Sequence, residues 1–296
     1  MEGSGQIPVY TITVVGRTVK AVNYRHRGGA TKVNFQGTAL LPKAHGEAKV
    51  ESKQGYIEIE VEFDELQPAT QFGPEYLTYV MWAVTPEGRA TNLGEVLLNR
   101  SPRDWESKLN VTTDLQAFGL IVTAEPYFAV TQPSDVVVME NVIRPDTRGK
   151  VTEVEAKYEL LQRGEYTFGT NPASVERIAI DPRTPLELYE ARNAVRVARW
   201  AGADRLASDT FRKAENLLTQ AETNHSRRQP KKTVVMIARE SVQTAEDARL
   251  ITVKRQEEER LARERREAAE REARRKAELR RCVTTLWQRT RSAGSA

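Results

Sequence analysis

An antiparallel β-sandwich followed by α-helices is the fold class this 296-residue sequence predicts, and three observations carry it. Short strand patterns cut by turn signals repeat from about residue 8 to 145. From Pro185 onward, apolar residues recur at the three- and four-residue spacing of a helix. Residues 231–281 contain neither Gly nor Pro and would run as one helix of roughly 75 Å at ~1.5 Å per residue.

The clearest strand is Tyr56–Phe63, where Ile57, Ile59, Val61 and Phe63 alternate with Glu58, Glu60 and Glu62. That period of two marks one buried and one wet face. Lys53-Gln54-Gly55 turns the chain back onto Ala48–Ser52 to make a hairpin. Tyr76–Val84 is rich in β-branched and aromatic residues and ends at the turn Thr85-Pro86-Glu87-Gly88. Leu93–Leu98, Leu115–Ala124 and Val136–Val142 follow as strands, with Pro126, Pro133 and Pro145 at edges and turns. Strands this closely spaced, with no helix-length pattern between them, place residues 1–145 among Ig-like sandwiches. Residues 146–184 form a polar connector, in which Val151–Leu161 suits a strand or a short helix equally.

The helical part begins with a stripe of Ala191, Ala194, Val195, Ala198 and Ala201, which Ala201-Gly202-Ala203 breaks. Ser208-Asp209 are N-cap types opening a second stripe through Phe211, Ala214, Leu217, Leu218 and Ala221. Asn224-His225-Ser226 and Pro230 end it. A third helix packs through Val234, Ile237, Ala238, Val242, Ala245 and Ala248, so residues 185–253 read as an Ala-rich three-helix bundle. Beyond Val253 the stripe fades. Residues 254–281 hold 12 Lys and Arg against 8 Asp and Glu, including Glu259–Arg263, Glu267–Arg271, Glu270–Arg274 and Glu272–Lys276 at i, i+4. The best coiled-coil register runs Ala262, Arg266, Ala269, Ala273, Lys276, too polar for a zipper seam. A solitary charged rod is therefore expected over 254–281, with a disordered tail over 282–296.

Charge separates along the chain. Residues 1–184 carry 19 basic and 24 acidic side chains, and residues 185–296 carry 26 and 17, giving +4 in total. The single cysteine, Cys282, excludes an intrachain disulfide framework and a Cys-based zinc site. His26, His45 and His225 form no metal-binding spacing, and solvated or capping roles fit them better. No dinucleotide or P-loop glycine signature and no nucleophile elbow is present, so no catalytic, cofactor-binding or metal residue is assigned and no enzyme is expected. The start of the chain lacks a signal-peptide pattern, which on sequence alone reads as cytoplasmic, and no apolar run spans a membrane. Arg263, Arg265, Arg266, Arg271, Arg274 and Arg275 are the candidate contacts for an anionic polymer. The glutamates between them favour a solvated rod, and without interleaved aromatics base stacking on nucleic acid is not expected.

Two stretches resemble a known family. The run 191–203, with Ala207, Phe211, Ala214, Leu217, Ala221, Ala238, Ala245-Glu246 and Ala248, is similar to an Ala-rich helical domain of unknown function in bacterial cell-envelope proteins. Residues 49–60 and 79–89 resemble the N-terminal β-domain of OmpA-family envelope proteins. The resemblance implies a non-enzymatic structural or spacer protein, periplasmic or outer-membrane-associated, with other envelope proteins or an anionic wall polymer as partners. Members of that family usually carry a leader and a C-terminal wall-binding domain, neither of which matches here, so a truncated relative is expected. The alternative is a binder of anionic polymers through the basic helical arm.

Overall fold

The computed structural model describes residues 17–24, 30–98, 106–144, 150–158, 180, 181 and 183–293. Ten strands precede four helices: β1 (Arg17–Asn23), β2 (Ala30–Gly37), β3 (His45–Ser52), β4 (Ile57–Asp64), β5 (Thr78–Val84), β6 (Ala90–Val96), β7 (Ser107–Thr113), β8 (Ala117–Glu125), β9 (Val137–Val142) and β10 (Lys150–Tyr158). The helices are α1 (Leu186–Trp200), the short α2 (Ala203–Leu206), α3 (Ser208–Ser226) and α4 (Lys231–Ala293). This is an antiparallel β structure followed by helices.

The ladders join all ten strands in one sheet, in the order β10-β1-β8-β9-β2-β3-β4-β7, with β5 paired to β8 and β6 paired to β5. β7 comes back beside β6 without a ladder between them. There the Ser107 hydroxyl donates to the Leu97 carbonyl at 2.6 Å. The sheet is thus a nearly closed barrel, with β1 and β10 as an antiparallel flap.

Side-chain alternation explains the closure. Ile57, Ile59, Val61 and Phe63 of β4 point into the barrel with Val33, Phe35, Val50, Tyr79, Met81, Leu120 and Val122. The outward glutamates of β4 meet lysines on the neighbouring strands, Glu60 to Lys49 at 3.1 Å and Glu62 to Lys108 at 2.6 Å. Both pairs sit at matched register positions, so the acidic row is balanced across strands. The β3–β4 turn closes as Lys53 N–H donates to Tyr56 O at 2.9 Å, with Gly55 at φ 93. At the next turn Gly88 N–H donates to Thr85 O at 2.9 Å.

Strand β5 is buried along its whole length. Tyr79, Met81 and Ala83 fill the barrel, whereas Val80, Trp82 and Val84 join a second core with the helices. That outer core contains Ile121, Tyr127 and Val137 from the barrel wall and Leu188, Ala191, Val195, Phe211, Ala238, Val242 and Ala245 from the helices. Alanine at the contacts permits close approach of helix axes. The bundle therefore lies on one wall of the barrel, a contact the sequence did not announce.

Several expectations change. Residues 146–184 are not connector throughout, because 150–158 form β10, which pairs with the free edge of β1 from Arg17↔Tyr158 to Asn23↔Lys150. The undecided Val151–Leu161 stretch is thereby a strand as far as Tyr158. Strands β2 and β7, not singled out in the sequence, complete the barrel. Helix α3 starts at Ser208 itself after Ala207, with no side-chain cap, and Asp209 instead pairs with Arg212 in the first turn. Helix α4 continues through 282–293, where a disordered tail was expected. Nothing in that stretch breaks a helix, since the first glycine after Gly202 is Gly294. The Ala201-Gly202 break is realised by Gly202 at φ 91, a left-handed position that glycine takes without strain.

Candidate functional site

Two buried acids fasten the helices to the barrel. Glu246 of α4 is fully buried and accepts from Tyr127 Oη at 2.8 Å and Thr131 Oγ1 at 2.9 Å on the barrel side. Arg249, one turn on, closes a fork onto the same carboxylate, with Nε and Nη2 both at 2.7 Å. Burial and the Glu246 charge push the Tyr127 phenol well above its usual range, so it stays neutral and donates.

The second acid is Glu95 of β6. It accepts from Thr78 Oγ1 at 2.9 Å and from Arg239 Nη1 of α4 at 2.7 Å. Arg239 also lies over the Phe128 ring at 3.8 Å from its centroid. Glu190 of α1 is fully buried beside this pair, and neither of its oxygens accepts a hydrogen bond from any donor group. Burial first, then the Glu95 carboxylate, hold its carboxyl well above the ordinary range. Its neutral form is thereby favoured beside the Glu95 carboxylate.

This arrangement fixes the sign of a pH effect. A carboxyl raised in the folded state favours folding below its unfolded value of 4.5, and that contribution is lost as pH rises towards the folded value. Glu190→Gln keeps a neutral donor and removes the titration. The variant is expected to be more stable than wild type at pH 8, with the difference shrinking as pH falls towards 5. Urea unfolding at several pH values checks it; a difference independent of pH would show that Glu190 does not titrate this way.

A further polar contact ties α1 to the barrel. Asn193 Nδ2 donates to Glu75 O at 3.0 Å and Pro126 O at 3.3 Å, and its own carbonyl accepts from Arg196 Nη2 at 2.6 Å. These groups brace an interface. Among the described residues no group of three His, Cys, Asp or Glu could hold a metal ion. His45 is exposed, 3.6 Å from Asp64, and His225 lies 3.3 Å from the Thr184 hydroxyl between the start of α1 and the end of α3. His26 lies outside the described residues.

The sequence-selected arginines all lie on α4. From Val253 to Arg281 every residue is exposed. The last hydrogen bonds from α4 to the bundle come from Arg255 to Leu206 O and from Gln256 Nε2 to Ala201 O at 2.8 Å. The first covers the carbonyl at the end of α2, and the second covers the one at the α1–α2 break before Gly202. Beyond them Arg260 bridges Glu257 and Glu264, each at 2.6 Å. Glu267–Arg271 forms at 3.7 Å and Glu272–Lys276 at 2.5 Å. The other two expected pairs, Glu259–Arg263 and Glu270–Arg274, do not form among the described residues. Arg263, Arg265, Arg266, Arg274 and Arg275 carry no ion pair there.

One groove opens between the barrel and the helix starts. It encloses about 640 Å³ and is lined by Leu77, Thr78, Val96, Leu97, Leu186 and Lys231, among others. No sequence pattern announces it, because its walls come from the 3-10 turn at 69–72, β5, β6, α1 and α4 at once.

A barrel with helices bolted to one wall and a bare charged helix beyond them defines a β-plus-α protein with a protruding arm. No family model, curated protein or solved structure matches this chain.

Proposed function

We propose that the chain is a non-catalytic structural spacer of the bacterial cell envelope. The observation that supports this most is the two-part character of α4. Ala238, Val242, Ala245 and Ala248 pack into the outer core, Thr252 is buried one turn on, and the next 29 residues, Val253–Arg281, are all exposed. At ~1.5 Å per residue that exposed part alone extends roughly 43 Å. On this reading the head is the presented part, and the arm sets its distance from whatever lies at the far end. A helix with no apolar seam stays single because a partner would bury no hydrophobic area. Its pairs between opposite charges, each worth ~0.2–0.5 kcal/mol, brace it along its own surface. The periplasmic or outer-membrane setting rests on the likeness of residues 49–60, 79–89 and 191–203 to OmpA-family envelope proteins, and envelope proteins or an anionic wall polymer are its partners on this reading.

If the arm only spaces, the head does not need it. Removing residues 257–296 is expected to leave the unfolding free energy of the remainder within about 0.5 kcal/mol of wild type, because residues 257–281 are all exposed. Urea denaturation compares the two. A loss above about 2 kcal/mol would mean that the arm packs on the head.

The arginines of the arm support a second reading, a binder of anionic polymers through Arg263, Arg265, Arg266, Arg271, Arg274 and Arg275, of which Arg271 alone is paired among the described residues. Filter binding of RNA and of a wall polymer across salt separates it from the first. Affinity falling steeply with salt supports the second reading, and no complex near ~50 mM salt removes it.

A further inference from the structure

The groove at the helix starts combines an apolar wall with one positive pole. Pro68, Leu77, Val96, Leu97, Leu98 and Leu186 supply the wall, and Leu97 is 53 % exposed, a large apolar side chain left in water. Of its hydroxyl-bearing lining, Thr78 is committed to Glu95 and Tyr79 to Gln67 O, which leaves Thr70. The groove thus offers little to a polar ligand along its length.

Its charge comes from the helices. Helix α1 begins after Pro185 with no side-chain cap, and its first residues, Leu186 and Glu187, line the groove. Helix α4 begins at Lys231, which lines the same groove. The starts of two helices therefore border one cavity, and the positive ends of their dipoles favour an anion. Lys231 adds a full positive charge, with Arg227, Arg228 and Lys232 exposed beside it and carrying no ion pair among the described residues. Glu187 is the single carboxylate among the lining residues.

The geometry points to a binding site for one long-chain fatty acid, its chain along the leucines and its carboxylate at Lys231 between the starts of α1 and α4. The volume falls within the ~300–1,000 Å³ of small-molecule sites, so it admits one amphiphile. A concave slot does not suit the face of a bilayer, which would need a protruding apolar surface.

Calorimetric titration of the full chain with myristate below its micelle concentration tests the site. One-to-one binding is expected, weakened at least about tenfold by Leu97→Asp and by Lys231→Glu, since each removes one half of the recognition. Both positions are exposed, and unchanged melting curves would confirm folding of the variants. Butyrate, which keeps the carboxylate and loses the chain, should not bind measurably. No myristate binding to the wild type, binding indifferent to both variants, butyrate binding as tightly as myristate, or binding to anionic vesicles without binding to monomeric myristate would each overturn the assignment.

Discussion

Replacing Arg249 with alanine is expected to cost about 3–5 kcal/mol of unfolding free energy, because it strands a buried carboxylate. Glu246 is wholly buried, and its charge is compensated by the fork from Arg249, whose side chain is itself only 15 % exposed. Without that cation, Tyr127 and Thr131 still donate, but two neutral hydrogen bonds do not offset the desolvation of a full charge. Glu246→Ala combined with Arg249→Ala should cost much less than the sum of the single losses, since the pair acts as a unit. Urea denaturation of the three variants gives the cycle. An Arg249→Ala loss below about 1 kcal/mol would mean that water reaches the Glu246 carboxylate and that the clamp is not dry.

Trp82→Ala should be comparably severe, at about 3–5 kcal/mol. Trp82 is fully buried on the outward face of β5, in the core that barrel and helices share, and its indole donates to Thr123 Oγ1 at 2.8 Å. That hydroxyl in turn donates to the buried Glu125 carboxylate at 2.5 Å, which also accepts from Ser134 N–H at 2.8 Å. Truncating the indole opens a cavity at the seam and leaves the head of this chain without its donor. Trp82→Phe keeps most of the volume and should cost only about 1–2 kcal/mol, the share of the hydrogen bond and the smaller ring. If alanine and phenylalanine prove equal, packing at the seam is not what Trp82 supplies.

Trp82 also shows what a sequence reveals and what it hides. The run Thr78–Val84 is legible as a strand from composition alone, and Ile57–Phe63 is unmistakable from its alternation. That β5 is buried on both faces is not legible, because an all-apolar strand looks the same wherever its second cover comes from. Strand β7 shows the opposite difficulty. Leu109 and Val111 do alternate with Lys108, Asn110 and Thr112, but with so few apolar residues that the pattern fades into its polar surroundings. Pairing with β4, whose register places Lys108 opposite Glu62, supplies what composition lacks. The Ala-rich stripes gave the helices clearly, and the fade after Val253 coincides with Thr252, the last fully buried residue of α4 up to Arg281. The clamp residues Glu95, Glu190 and Glu246 were invisible for a plain reason. A glutamate in a helix or edge strand is normally solvated, and only the barrel wall folded against it removes the water. A partial signal did exist: Glu190 and Glu246 lie on or beside the alanine stripes, where a charge is out of place.

The arm carries the central claim, and a spin-label distance tests it most directly. Val253→Cys together with the native Cys282 places two labels 29 residues apart on α4. A lone straight helix should give one narrow intramolecular distance centred near ~43 Å, unchanged on dilution with unlabelled protein. A broad distribution at shorter distances, or a second distance that disappears on dilution, would mean that the arm bends back or winds around another copy.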